Sequence, residues 1–289
     1  MSIKSKVLSI IPDSLYIRLL YYKKLKTFLN LKAPKLFTEK IQWLKLYDRN
    51  PYYTQLVDKS AVKKIVAEKI GSEYLLKTLG EWKTFEEIDF TKLPNQFVLK
   101  TTHDSGGVVI CKDKAIFDTV KAKTKINESL GRNFYKEFRE YPYKKVPPRI
   151  IAEEFLGSID EDLVDYKIYC FNGVPKFIQV IKDRSSKETI DFFDTLWNHQ
   201  EFVGFTPGVA NSDTPVRPPQ NLNKMLEIAA SLSSGIPFLR VDLYNVEGTI
   251  KFGELTFSPN AGFGCLHPDK WNRILGDMIE LPDSIGIIR

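Results

Sequence analysis

Residues 240–256 read RVDLYNVEGTIKFGELT: two runs of alternating apolar residues around a Gly-containing turn, with an acid inside each arm. The pattern predicts a β-hairpin. With Val246, Glu247 and Gly248 as a three-residue loop, Asp242 falls opposite Phe252 and Arg240 opposite Glu254. Arg240, Asp242, Glu254 and Thr256 then share one face, while Val241, Leu243, Leu255 and Phe257 pack on a core from the other. A one-residue slip in the turn would carry Glu254 across the sheet. Carboxylates in mid-strand are costly to bury unless paired or metal-bound. Two readings follow: an Arg240–Asp242–Glu254 ion network, or a hard oxygen-ligand site for Mg2+ completed by substrate phosphates.

Working outward, the apolar periodicity of Leu222–Ser234 predicts a helix leading into this hairpin. Upstream, DYKIYCF, NG and PKFIQVIKD form a strand–turn–strand unit whose Asn172-Gly173 pair is a hairpin signal. RIIAEEFL, from Arg149, is a short apolar strand that reads as an edge strand with a solvated acidic end. QFVLK, TTHDSGG and VVIC, from Gln96 to Cys111, read as a second hairpin with a Gly-rich tip. There Lys100 ends a strand, and Ser105, Gly106 and Gly107 would let backbone N–H groups approach a phosphate. The GxxxxGK[ST] spacing of a P-loop is missing, as is GxGxxG. A helix is expected around Phe117–Leu130, followed by the boundary-like stretch YPYKKVPP. TEKIQWLKLYDRN predicts a helix capped by Thr38, with Ile41, Leu44 and Tyr47 on one face. DKSAVKKIVAEKIG predicts another, striped by Val62, Ile65, Val66 and Ile70 and stopped at Gly71. Helices and hairpins in mixed order, without βαβ alternation, indicate an α+β fold.

The 289 residues, 43% hydrophobic and 27% charged, describe a globular chain of one large or two coupled domains. Cys111, Cys170 and Cys265 have no CxxC spacing, and His103, His199 and His267 no HExxH spacing. A disulfide framework and a histidine zinc site are therefore disfavoured, and a reduced cytoplasmic setting is expected. The net charge of +6 is uneven: residues 1–50 hold eleven Lys or Arg against three acids, so that end carries +8 and the remainder −2. The excess fits a solvated helical face, an anionic polymer or an anionic membrane surface. No nucleic-acid-binding signature accompanies it. Pro12, Asp13 and Arg18 interrupt VLSIIPDSLYIRLLYY well short of a spanning helix.

Taken together, Lys100 with the SGG loop, the EEFL strand end, DYK and the RVD…GEL hairpin resemble the ATP-grasp enzymes. EKIQWLKLYDRNPYYTQLVDK, PRIIAEEFL, DYKIYCFNGVPKFIQV and PFLRVDLYNVEGTIKFGELTFSP resemble the TupA-like branch. That branch is named for a teichuronopeptide biosynthesis protein and found among surface-polysaccharide and capsule proteins. The resemblance runs from about Phe37 to Pro282. It implies an ATP-grasp fold in which two α+β subdomains clasp ATP. The expected organisation is a basic helical N-terminal region over residues 1–55, a first subdomain with the Gly-rich flap over 56–148, and a second with the metal-binding hairpin over 149–289.

Carried over by position, the resemblance implies that Lys100 and Lys59 contact ATP phosphates under a flap of Ser105, Gly106 and Gly107. Glu153, Glu154, Phe155 and Leu156 would line the adenine pocket, with Asp165 on the ribose. Asp242 and Glu254 would hold Mg2+. Many ATP-grasp ligases carry Asn where this chain has Thr256, so a third ligand would be Thr256, Asn260 or water. Lys167, Arg184 and Arg240 would attend the transferring phosphoryl group and an acyl-phosphate. The implied chemistry is an ATP-dependent carboxylate–amine ligase acting on an acidic sugar of a bacterial surface polysaccharide, with an anionic glycan or lipid-linked precursor and an amino acid or amine as partners. A polysaccharide glycosyltransferase would need a DxD-type metal motif. The DED at Asp160–Asp162 reads instead as a solvated acidic turn. A nucleotide-binding scaffold protein of polysaccharide assembly remains a non-enzymatic alternative.

Overall fold

In the computed structural model, which describes residues 11–157, 162–206 and 208–282, the chain builds two antiparallel sheets. Residues 160 and 161 of the DED stretch and the first ten residues of the basic end lie outside the described residues. The first sheet contains β1 (Thr78–Trp82), β2 (Phe97–Thr101), β3 (Val108–Cys111) and β4 (Ile150–Glu154), in the order β1-β4-β2-β3. The second contains β5 (Asp165–Phe171), β6 (Val174–Lys182), β7 (Thr189–Asp194), β9 (Phe238–Val246) and β10 (Thr249–Thr256), in the order β10-β9-β5-β6-β7. The two-residue strands β8 (Val203–Gly204) and β11 (Leu266–His267) pair with each other. This is the α+β architecture expected from the mixed order of elements.

Strand alternation decides where the site sits. From β5 and β9, Ile168, Cys170, Leu239, Val241 and Leu243 point into a core shared with the helices Val62–Ile70 and Leu222–Ser233. On the opposite face of the same strands, Tyr169, Phe171 and Phe238 pack on Phe37 and Ile41 of the helix Phe37–Tyr47. That helix covers half of the face. The other half, carrying Asp165, Lys167, Asp242 and Arg240, is left to the cavities described below.

Several expectations change. The strand Ile150–Glu154 is interior, hydrogen-bonded to β1 on one side and β2 on the other, so it is not an edge strand. It belongs to the first sheet, which places the division between sheets after residue 154 rather than at 149. The stripe Val62, Ile65 and Val66, assigned by sequence to the first subdomain, packs on the second sheet. The helix at Phe37 starts one residue before Thr38, and its first turn is capped from within: the Glu39 carboxylate accepts the Lys35 and Leu36 amides at 2.8 and 3.0 Å. Its inward face includes Gln42 and Lys45, which donate to the Ala261 carbonyl at 3.1 and 2.9 Å, while Tyr47 is exposed. Polar residues thus face inward because the turn at 259–262 offers unpaired carbonyls.

The hairpin differs in register. Its loop is two residues, Glu247 and Gly248, both at positive φ (50° and 85°), so Val246 pairs with Thr249 and Phe252 with Leu243. Continued without interruption, this pairing would put Glu254 on the core face. A bulge at Gly253 shifts the register once more, so that Glu254 lies opposite Asp242 and Thr256 opposite Arg240. A Cβ at Gly253 would stand 3.0 Å from the Asp242 carbonyl, which is why glycine suits the bulge. The four polar residues therefore share a face as expected, through a different set of pairs.

Candidate active site

Across the second sheet, Gln179, Lys167, Asp242 and Glu254 stand in one row on four neighbouring strands, with Tyr169, Arg240 and Thr256 in the next. Asp242 is buried and clamped. Arg240 donates to its two oxygens at 2.7 Å each, and Lys167 donates at 2.6 Å. Burial works to raise the Asp242 carboxyl, but Arg240 and Lys167 outweigh it and hold the group below the ordinary carboxylate range. Arg240 also reaches Thr256 Oγ1 at 3.0 Å and Glu254 at 3.4 Å. The ion network is thus real, and it leaves Glu254 with two long contacts, from Arg240 at 3.4 Å and Thr256 Oγ1 at 3.5 Å, and a side chain 40% exposed. Arg184 pairs with Asp165 at 2.5 Å. Burial raises the Asp165 carboxyl, with Lys167 and Arg184 opposing.

The first sheet faces this row with cations of its own. Lys100 and Lys63 grip Glu153 at 2.6 and 2.5 Å. Burial alone would raise that carboxyl, yet the two lysines hold it low. Lys59, half-buried, donates to the Asp104 carbonyl, and desolvation lowers its ammonium despite the pull of Glu254. The Gly-rich loop is anchored at its base, where the buried Asp104 carboxylate accepts from Thr101 and Ser129 hydroxyls. Ser105 and Gly106 are exposed at the tip. Arg132 holds the Ser105 carbonyl at 3.2 Å.

Three adjoining cavities run through these groups. An apolar recess of about 170 Å³ is lined by Leu76, Val98, Val108, Phe155 and Leu156, with Glu154 and Lys100 at its edge. It shares Lys100, Asp162 and Tyr244 with a second cavity of about 650 Å³, which holds Lys59, Ser105, Gly106, Asp165, Asp242 and Glu254. That one shares Ser105, Lys167, Arg184 and Glu254 with a third, of about 660 Å³. The third chamber brings together Lys24, Arg132, Lys167, Arg184 and Arg240 against Glu140, Glu188 and Glu254, beside the rings of Phe134 and Phe138. A planar apolar group, a chain of anionic groups and a second anionic ligand would fit these in sequence.

Most residues singled out by sequence therefore gather here, with three differences. Glu153 does not line the apolar recess; it faces Lys63 and Lys100. Gly107 is buried beneath the loop, where a Cβ would strike the Thr101 and Ser129 hydroxyls. Thr256 borders the third chamber and not the second, and is occupied by Arg240. Sequence reasoning missed Lys63, Asp104, Arg132 and Glu140, each of which has a partner 25 or more residues away: Glu153, Ser129, Ser105 and Lys45 respectively. As for a metal, Asp242 and Glu254 supply opposed oxygens, and no group of three or more His, Cys, Asp or Glu gathers among the described residues. That donor set fits a hard cation completed by phosphate oxygens and water, with Glu254 the accessible ligand.

The profile of one protein family, described as TupA-like ATPgrasp, matches residues 39–280. No curated protein matches the chain. Among solved structures the chain is similar to the D-alanine–D-alanine ligase of Bacillus anthracis complexed with ATP, at 14% identity, TM-score 0.42 and coverage of 70% of this chain and 55% of that one. It is also similar to the D-alanine–D-alanine ligase of Helicobacter pylori, at 14% identity and TM-score 0.42, covering 84% and 69%. A third is the ATP-grasp ligase PsnB complexed with minimal precursor, Mg and ADP, at 12% identity and TM-score 0.39, covering 76% and 57%. The chain spans little more than half the length of the B. anthracis ligase and of PsnB. With its two antiparallel sheets and a profile match over most of its length, the chain belongs to the TupA-like ATP-grasp family.

Proposed function

We propose that the protein is an ATP-dependent carboxylate–amine ligase that joins an amino acid or other amine to an acidic sugar of a bacterial surface polysaccharide, working in the cytoplasm and touching its membrane. The observation that carries this reading is the run of three cavities, in which a narrow apolar recess leads past lysines and carboxylates into a cation-rich chamber. Adenine would enter the recess between Phe155 and Leu156, with Glu154 at its edge and Asp165 near the ribose. Lys59, Lys100 and the Ser105 and Gly106 amides would bind the phosphates. Asp242 and Glu254 would hold Mg2+, which supplies neutralisation of phosphate charge when bound.

The chamber's cations and its Phe134 ring suit a carboxylated sugar, whose acid pairs with Arg or Lys while a C–H face lies on the aromatic surface. An acceptor carboxylate oxygen attacks the γ-phosphorus, the bond to the β-phosphate oxygen breaks, and ADP leaves. The amine nitrogen then attacks the acyl carbon, phosphate departs with the bonding electrons, and the nitrogen gives up a proton to phosphate or solvent to leave the amide. Lys167 and Arg184 stand at the junction of the two larger cavities and Arg240 beside it in the third chamber, where they would orient the transferring group and offset charge that develops on its oxygens. The test is ADP release dependent on both an acid and an amine, with hydroxylamine intercepting the acyl-phosphate as a hydroxamate. No ADP with any pair, and no hydroxamate, would refute the ligase. Turnover of a nucleotide sugar without ATP would point to a glycosyltransferase.

A further inference from the structure

The helix Asp13–Leu25 buries Ile17 and Tyr21 in a small core with Leu29, Leu31 and Leu46. Its outer side carries a second apolar row: Leu15, Leu19 and Tyr22, spaced i, i+4 and i+7, are 49, 57 and 49% exposed. Phe28, 84% exposed, stacks on Tyr22 at 5.1 Å and 27°. Lys23, Lys26 and Lys32 of the same segment are exposed, as is Lys24, which projects from the side of the helix opposite Leu15 and Leu19. Across residues 11–35 the sole acid is Asp13. That carboxylate is already shared by Arg49 and Arg139 at 3.0 Å each.

We infer that this face docks on an anionic bilayer surface, with Leu15, Leu19, Tyr22 and Phe28 entering the headgroup region and the lysines meeting lipid phosphates. Apolar residues ringed by lysine are the combination that holds a helix in the plane of such an interface. A second copy of the chain would bring the same lysines against one another. The ten preceding residues carry Lys4 and Lys6 and no acid, so they cannot neutralise the patch. Among the described residues no helix is long and apolar enough to cross a membrane. Lys24 also lines the cationic chamber. Docking therefore sets that chamber across the helix, about one helix diameter from the headgroup plane, within reach of a lipid-linked acceptor; this last step rests on the ligase reading, and the docking does not.

The experiment is co-sedimentation of the full chain, without ATP or acceptor, with phosphatidylglycerol-containing and pure phosphatidylcholine vesicles. Binding to the anionic vesicles alone, weakened by salt, is expected. Leu19→Ser with Phe28→Ser should lower the partition coefficient about tenfold or more. Lys23→Glu with Lys26→Glu should lower binding to a similar degree and leave ADP release in solution unchanged. All four side chains are exposed, so melting temperatures should match the wild type. Equal binding to neutral vesicles, no binding, or unaltered binding by both variants would overturn the inference. Self-association that Leu19→Ser abolishes, or binding that emerges only when residues 1–10 are removed, would overturn it too by assigning the face to another occupant. A failed ligase assay leaves every one of these readouts standing.

Discussion

Replacing Glu254 with Gln separates the two meanings of the hairpin acids. The structural loss is small: the side chain is 40% exposed and its contacts, with Arg240 at 3.4 Å and Thr256 at 3.5 Å, are long. A pair this long, with one partner open to solvent, contributes about 0–1 kcal/mol. In a chain of this size that amounts to a melting shift of roughly 2–4 °C at most. The core face of the hairpin, with Ile250, Phe252 and Leu255, is untouched. The functional loss should be large, because Glu254 is the accessible carboxylate between the two larger cavities. Gln keeps the shape and one oxygen but removes the charge that would hold a divalent ion. A loss of about 4 kcal/mol in transition-state stabilisation corresponds to roughly a thousandfold in turnover. The assay pairs a melting curve with ADP release titrated against Mg2+. An unchanged rate with an unchanged Mg2+ dependence would refute the metal-site reasoning, and a collapsed melting temperature would return Glu254 to a structural role.

Asp242→Asn should behave differently, costing about 3–5 kcal/mol because Arg240 and Lys167 lose the carboxylate they share; denaturant titration measures it. Gly107→Ala should force apart the Thr101 and Ser129 hydroxyls that hold Asp104, costing about 1–3 kcal/mol and raising the KM for ATP. Glu140 provides a pH test. Burial pushes its carboxyl up to about 7, against the pull of Lys45. Folding therefore favours its protonated form, and the stability linked to it is lost as pH rises from about 4.5, its ordinary value, through about 7. The melting temperature of Glu140→Gln relative to the wild type should climb across that window; a constant difference would contradict the buried-carboxyl assignment.

Much of the candidate site was legible in the sequence because its residues sit on strands, where alternation alone assigns a face. Arg240 and Asp242 needed no more than that, while Asp165 and Lys167 are singled out through the family resemblance. The hairpin shows where local pattern stops. Reading VEG as the loop set the turn one residue too long, and the bulge at Gly253 then restored the same-face result; that bulge is not visible without its partner strand. Glu153 was misplaced for a related reason. The strand Ile150–Glu154 reads as an edge, yet it takes β1 as a second neighbour, and TLGEW carries no apolar run to announce that pairing. Lys63 and Glu140 acquire their places through contacts distant in sequence, with Glu153 and Lys45, and Arg132 joins the site through the Ser105 carbonyl, so no spacing rule could have assembled them.

Asp13 binds Arg49 and Arg139 and accepts the Tyr135 hydroxyl at 2.6 Å, while Tyr16 donates to the Glu137 carbonyl at 3.0 Å. The basic opening helix is thereby fastened to residues 135–139, the segment that places Arg132, Phe134 and Phe138 around the third chamber. A chimera that borrows the first 35 residues from a relative without also borrowing residues 132–145 would sever these ties and open a wall of the chamber. The two segments form a single exchangeable module, and a change of acceptor preference among relatives should track both together.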